Sequence, residues 1–285
     1  MNKIAVIGAG TMGHGIAQVA AMAGFDTTIY DVSSEALDAA LAQIEQNLQG
    51  GVARGKVTEQ AAQDARKRVH ADAALSTATA DADLVIEAIV EDLESKRRLF
   101  GELSSLTKPD AILATNTSSL SVAAIAEASD RPAAVVGMHF FNPVHIMKLV
   151  EVVRHDATAD SVVEAIHRAA VRMGKDPIVV RDSPGFASSR LGVVLGLEAI
   201  RMMEQGVAAP EDIDKALELG YGHPMGPLRL TDLVGLDVRL AIAEYLHAEL
   251  KDAHYEPPDL LRRKVAAGEL GKKTGKGFYE WPTSK

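Results

Sequence analysis

At 285 residues the chain is long enough for about two domains of ~150 residues each. Its 47% hydrophobic and 24% charged content is globular rather than disordered or fibrous, and with aromatics at 4% the core must be aliphatic. The absence of cysteine excludes a disulfide scaffold, a thiol nucleophile and a cysteine-ligated metal or cluster, while a net charge of −9 argues against general binding to nucleic acid or anionic membranes.

Lys3 to Gly8 has the pattern of a short buried strand, Met12 to Gly24 that of an apolar helix, and Phe25 to Asp31 that of a second strand. The opening apolar run, Ile4 to Ile7, is too short for a signal peptide, and no run reaches the ~20 residues of a membrane span. A cytoplasmic location is therefore expected. Ser33-Ser34 can cap a helix to about Gln49, followed by a polar, helical-looking excursion from Gly50 to His70. Strands return at Leu84–Ala88, Ala111–Ala114, Ala134–Met138, Met147–Val153 and Pro177–Val180, with helical stretches between several of them. Such alternation implies an α/β, Rossmann-type, mostly parallel sheet. Beyond Asp182-Ser183-Pro184-Gly185 only amphipathic helices are read, at about 186–205, 210–219, 229–251 and 258–267. The expected division is a nucleotide-binding domain over 1–183, with a helical arm at about 50–70, and an all-α domain over 184–285.

Gly8-Ala9-Gly10-Thr11-Met12-Gly13 has the spacing G-x-G-x-x-G between a strand and a helix. Gly8 would make the tight turn, Gly10 would let a pyrophosphate approach the backbone, and Gly13 would pack helix on strand. The amides of Thr11 and Met12 lie at the helix start, where the dipole favours phosphate. Asp31, 18 positions beyond Gly13, stands where a carboxylate accepts from the adenosine ribose. It would repel a 2′-phosphate, and no arginine follows it, so the expected cofactor is NAD rather than NADP. A ligand-free turn, with Asp31 as a cap, is the competing reading.

Glu151 lies inside the apolar strand segment Lys148–Val153 and needs a partner, since an unpaired buried carboxylate is costly. The preceding strand ends in His139, and the Asn142-Pro143 turn could bring the two strands side by side, so that His139 and Glu151 pair. Such a pair suits proton transfer; a purely structural core pair is the alternative.

The order GAGTMGHGIAQ, IEAIVEDLESK (from Ile86), ATNTSSLS (from Ala114), GMHFFNPVHIMKLVEVV (from Gly137), RDSPGF (from Arg181), HPMGPLRLTDLVGLD (from His223) and GKKTGKGFY (from Gly271) resembles the short-chain L-3-hydroxyacyl-CoA dehydrogenase family along nearly the whole chain. The resemblance implies an NAD-dependent enzyme that dimerises through its helical C-terminal domain. It oxidises an L-3-hydroxyacyl-CoA, such as 3-hydroxybutyryl-CoA, to the 3-oxoacyl-CoA in fatty acid metabolism, with no metal. His139 then matches the general base, Glu151 its partner, and Ser118 the serine near substrate and nicotinamide. Glu91, Lys96, Asn142 and Lys273 match cofactor contacts. Asn47, Arg54 and Lys56, in or near the arm, are the candidates for contact with the CoA moiety; a solvated charged face is the alternative.

One position departs: Ser189 stands where the family carries an asparagine against the substrate carbonyl region. A CoA-independent 3-hydroxy acid dehydrogenase of the gulonate dehydrogenase type and a non-catalytic NAD-binding protein remain as competing functions.

Overall fold

The computed structural model describes residues 1–282. The chain divides into two compact units after Ser183. In the first, β1 (Lys3–Ile7), α1 (Gly13–Met22), β2 (Asp26–Tyr30), α2 (Ser34–Ala53), α3 (Glu59–Arg68) and β3 (Val69–Asp72) lead through α4 (Leu75–Thr79) to β4 (Leu84–Glu87). Then follow α5 (Leu93–Leu106), β5 (Ile112–Thr115), α6 (Val122–Ala126), β6 (Val135–Phe140), β7 (Leu149–Arg154), α7 (Asp160–Arg172) and β8 (Asp176–Arg181). The eight strands form one sheet in the order β3-β2-β1-β4-β5-β6-β7-β8. All neighbouring strands pair parallel except β6 with β7. The central strands β1, β4, β5 and β6 are buried throughout apart from Lys3, as their mostly apolar sequences require when both faces are covered.

The excursion after Gly50 is helical to Ala53 and again over α3, but it ends in β3, which the sequence reading merged into the helical stretch. β3 is a four-residue edge strand pairing with β2, and its His70 bonds Asp26 at 2.9 Å. Too short and too polar to show a two-residue period, it is held by its neighbour rather than by its own pattern.

The second unit contains α8 (Ser188–Glu204), α9 (Pro210–Tyr221), α10 (Pro227–Val234), α11 (Leu236–Leu250) and α12 (Asp259–Ala266). The stretch expected as one helix over 229–251 is two, because Gly235 adopts φ +103°, a conformation side chains disfavour, and breaks the ladder. The apolar faces meet around Val193, Leu197, Leu228, Leu236 and Leu246. Asp232, on α10 and 1% exposed, fastens the segment around Phe278, Tyr279 and Trp281 to this core. Its carboxylate accepts from the Phe278 and Tyr279 N–H groups at 2.8 and 2.9 Å and from Trp281 Nε1 at 2.7 Å.

Candidate active site and nucleotide cradle

The loops at the carboxyl ends of β1, β4, β5 and β6 carry most of the candidate residues, the end of a parallel sheet where ligands bind. After β1, Gly8 turns at φ +104°, and a Cβ there would stand 2.6 Å from the Ala88 carbonyl oxygen. At Gly13 a Cβ would fall 1.7 Å from the Gly8 carbonyl oxygen, so α1 reaches the strand only without a side chain. At Gly10 nothing lies within 4 Å of that position, leaving open space for a phosphate. Thr11 is exposed, Met12 half-buried, and no side chain caps the N-terminus of α1. Asp31, just past β2, accepts from the Ala9 N–H at 2.8 Å and the Ser33 N–H at 3.0 Å. A bare helix start behind an uncrowded glycine, flanked by a fixed carboxylate, fits a dinucleotide.

His139 and Glu151 are register partners across the antiparallel β6–β7 pair. Nδ1 lies 2.8 Å from Glu151 Oε2, and the two side chains are 8% and 0% exposed. With the Glu151 carboxylate as acceptor, Nδ1 carries the hydrogen, which makes Nε2 the acceptor nitrogen of the neutral ring. The Phe141 ring packs 4.4 Å from the imidazole, and Asn116 Oδ1 accepts from the Phe140 N–H at 2.9 Å, fixing the strand end.

Between β4 and β5 stands a carboxylate hub. Glu91 Oε1 accepts from Thr117 Oγ1 at 2.6 Å, from the Ser118 N–H at 2.8 Å and from Ser118 Oγ at 3.2 Å. Burial pushes this carboxyl up, but Lys96, the Thr117 hydroxyl and the Ser118 amide together hold it below its ordinary range. Lys96 is 1% exposed, with Nζ 2.5 Å from Glu87 and 3.3 Å from Glu91, so its ammonium is turned into the core. Glu87 also accepts from the Ile89 N–H at 2.8 Å and from Thr115 Oγ1 at 2.6 Å. Glu87 was missed from sequence, although it lies in an apolar strand just as Glu151 does.

Asn47, Arg54 and Lys56 line one cavity of about 790 Å³ with His145, Lys148 and Lys175. Asn47 donates to Gln18 and accepts from Gln43, both at 3.0 Å, while Arg54 and Lys56 are exposed. Among the described residues, no acidic one lines this cavity. Lys175, 8% exposed, donates to the carbonyls of Val144 and of Met147, the latter at 2.9 Å, and so holds the β6–β7 connection that carries exposed Asn142. Burial, then Lys148, pushes the Lys175 ammonium down to about 8. Burial, His14 and Lys175 also lower His145. In the second unit, Ser189 is half-buried in the first turn of α8, and Lys273 Nζ lies 2.5 Å from Asp237 Oδ1. Thus His139 with Glu151, Ser118 with Glu91 and Lys96, and the three arm residues form three groups within the first unit.

A parallel nucleotide-binding sheet whose carboxyl edge carries a buried histidine–carboxylate pair defines a dehydrogenase of the dinucleotide-dependent class. A family model for the 3-hydroxyacyl-CoA dehydrogenase NAD-binding domain matches residues 3–183, and one for the C-terminal domain of that enzyme matches 185–281. The chain belongs to the 3-hydroxyacyl-CoA dehydrogenase family and is an NAD-dependent oxidoreductase. It is 48% identical to a probable 3-hydroxybutyryl-CoA dehydrogenase of Deinococcus radiodurans, over 98% of this chain and 100% of that one. It is 45% identical to a 3-hydroxyadipyl-CoA dehydrogenase of Escherichia coli, over 99% of this chain and 59% of that one. The crystal structure of an (S)-3-hydroxybutyryl-CoA dehydrogenase from Ralstonia eutropha superposes with a TM-score of 0.96 at 37% identity, covering 99% of this chain and 100% of that one.

Proposed function

We propose that the protein interconverts short-chain L-3-hydroxyacyl-CoA and 3-oxoacyl-CoA thioesters with His139 as proton acceptor, as relatives named for butyryl and adipyl thioesters suggest. The 2.8 Å His139–Glu151 pair carries this reading. NAD, when bound, accepts the hydride from substrate C3. His139 Nε2 takes the C3 hydroxyl proton, and Glu151 stabilises the imidazolium so formed through Nδ1. Ser118 turns its hydroxyl from Glu91 to the substrate oxygen, where negative charge gathers. In the reverse direction the same proton returns from His139 to that oxygen. Glu91 and Asp31 orient the nucleotide, and Lys96 acts on it through Glu91. Asn142 contacts it from the β6–β7 connection and Lys273 from the C-terminal segment. Asn47, Arg54 and Lys56 hold the CoA phosphates in the basic cavity, for which an acid-free lining is suited. Ser189 faces the acyl group.

The functional form is a homodimer in the cytoplasm. Leu191 and Leu195 on α8 and Leu230, Leu233 and Val234 on α10, each at least 39% exposed, supply an apolar surface for the second copy. No described helix is long and apolar enough to cross a membrane. Following NADH absorbance with acetoacetyl-CoA and free acetoacetate in parallel tests the assignment. Acetoacetyl-CoA should be reduced with far higher kcat/KM; equal rates would remove CoA from the reading.

A further inference from the structure

Arg239, in the first turns of α11, is 5% exposed; its buried Nε has no hydrogen-bond partner, and its side chain forms no ion pair with any described residue. Charged side chains this deep are almost always paired. Burial alone pushes the guanidinium down to about 10, which leaves it fully charged at neutral pH. The carboxylates of the flanking helices are engaged elsewhere: Asp232 with Phe278 and Trp281, Asp237 with Lys273, and Glu198 with Arg201.

The guanidinium lies over two glycines of α8. A Cβ at Gly192 would stand 3.6 Å from its Nη1, and a Cβ at Gly196 would stand 3.4 Å from its Nε. Any larger residue at Gly196 would crowd both Arg239 and the Thr231 hydroxyl, 3.0 Å away. Ser189, Gly192 and Gly196 follow one another at i, i+3 and i+7, and so share a face of the helix. The buried cation therefore sits on the same face as Ser189, beginning about one turn, or ~5 Å, further along.

We propose that Arg239 is a specificity-determining residue that receives the terminal carboxylate of a dicarboxylic acyl chain, making six-carbon 3-oxo dicarboxylyl-CoA thioesters preferred substrates. The inference rests on the reading above in which Ser189 faces the acyl group. In a six-carbon chain three bonds separate C3 from the terminal carboxyl carbon, a span of roughly 3.5 Å when extended. A charge-assisted bond of ~2.8 Å then bridges the remaining distance to a guanidinium one turn away. A four-carbon chain ends too soon to reach it. An uncharged six-carbon chain reaches it with a methyl group and leaves the cation uncompensated.

The test compares kcat/KM of the full-length enzyme, by NADH oxidation, on acetoacetyl-CoA, 3-oxohexanoyl-CoA and 3-oxoadipyl-CoA. The last two differ only in a terminal methyl or carboxylate. The parent should favour the carboxylate by tenfold or more, the worth of one hydrogen bond between charged groups. Arg239→Met should bring that ratio to one or below, and Arg239→Lys should keep part of it, with circular dichroism confirming that each variant folds. Turnover of acetoacetyl-CoA with no preference for the carboxylate in the parent would overturn the role of Arg239 and leave the dehydrogenase reading standing. A preference that survives in Arg239→Met would overturn it too, as would an unchanged ratio accompanied by loss of the dimer, which would give the guanidinium to a subunit contact. No turnover of any thioester would end both readings together.

Discussion

Replacing Lys96 by methionine would leave the Glu87 carboxylate in the core without its cation. The pair is close to fully buried, at 1% and 0% exposure, and separated by 2.5 Å. The Ile89 amide and the Thr115 hydroxyl still donate to Glu87, but neither supplies charge. Removing one partner of such a pair costs about 3–5 kcal/mol, because the survivor is desolvated and uncompensated. A 183-residue unit shifts by roughly 2–4 °C per kcal/mol, so its melting transition should fall by about 6–20 °C. The measurement is differential scanning calorimetry of the parent, of Lys96→Met and of Lys96→Met with Glu87→Gln. In the double variant no buried charge is stranded, and most of the loss should return. A single variant within about 1 kcal/mol of the parent, or a double variant no more stable than the single, would refute the reasoning.

Either His139→Gln or Glu151→Gln should lower kcat by roughly 10²–10⁴-fold with NADH affinity little changed, as fluorescence titration would show. Asp31→Ala should reduce the preference for NADH over NADPH about tenfold or more, read as the ratio of kcat/KM values, since the ribose loses its charged acceptor. Lys175 gives a pH signature. Its value falls from 10.5 to about 8 on folding, so the unfolded chain binds the proton more tightly, and the resulting penalty is fully present below pH 8. Parent stability should therefore gain on that of Lys175→Met as pH rises from about 8 to 10.5, by denaturant melts; a gap independent of pH would count against the buried ammonium.

The sheet's central strands were legible because burial on both faces forces continuous aliphatic runs. The His139–Glu151 pairing was legible because an acid within such a run demands a partner and the Asn142-Pro143 turn limits where one can come from. What stayed hidden depends on tertiary neighbours. β3 has no pattern of its own, and Gly235 interrupts a helical period that continues on both sides. The stem of Lys96 carries its ammonium inward to Glu87, and no local spacing announces that direction. Arg239 reads as an ordinary charged helix residue until the glycines of α8, more than 40 positions earlier, are seen to make room for it.

The fastening of Phe278, Tyr279 and Trp281 by Asp232 has a spectroscopic consequence. Trp281, which donates to that carboxylate, is the chain's single tryptophan. Indole emission therefore arises wholly from the helical unit, at the point where Asp232 holds the indole, and the nucleotide-binding sheet is dark at that wavelength. A melt followed by emission is a melt of the helical unit alone, whereas far-ultraviolet ellipticity sums both units. Coincident curves would mean that the two units unfold as one cooperative body, and displaced curves would measure their separate stabilities without cutting the chain.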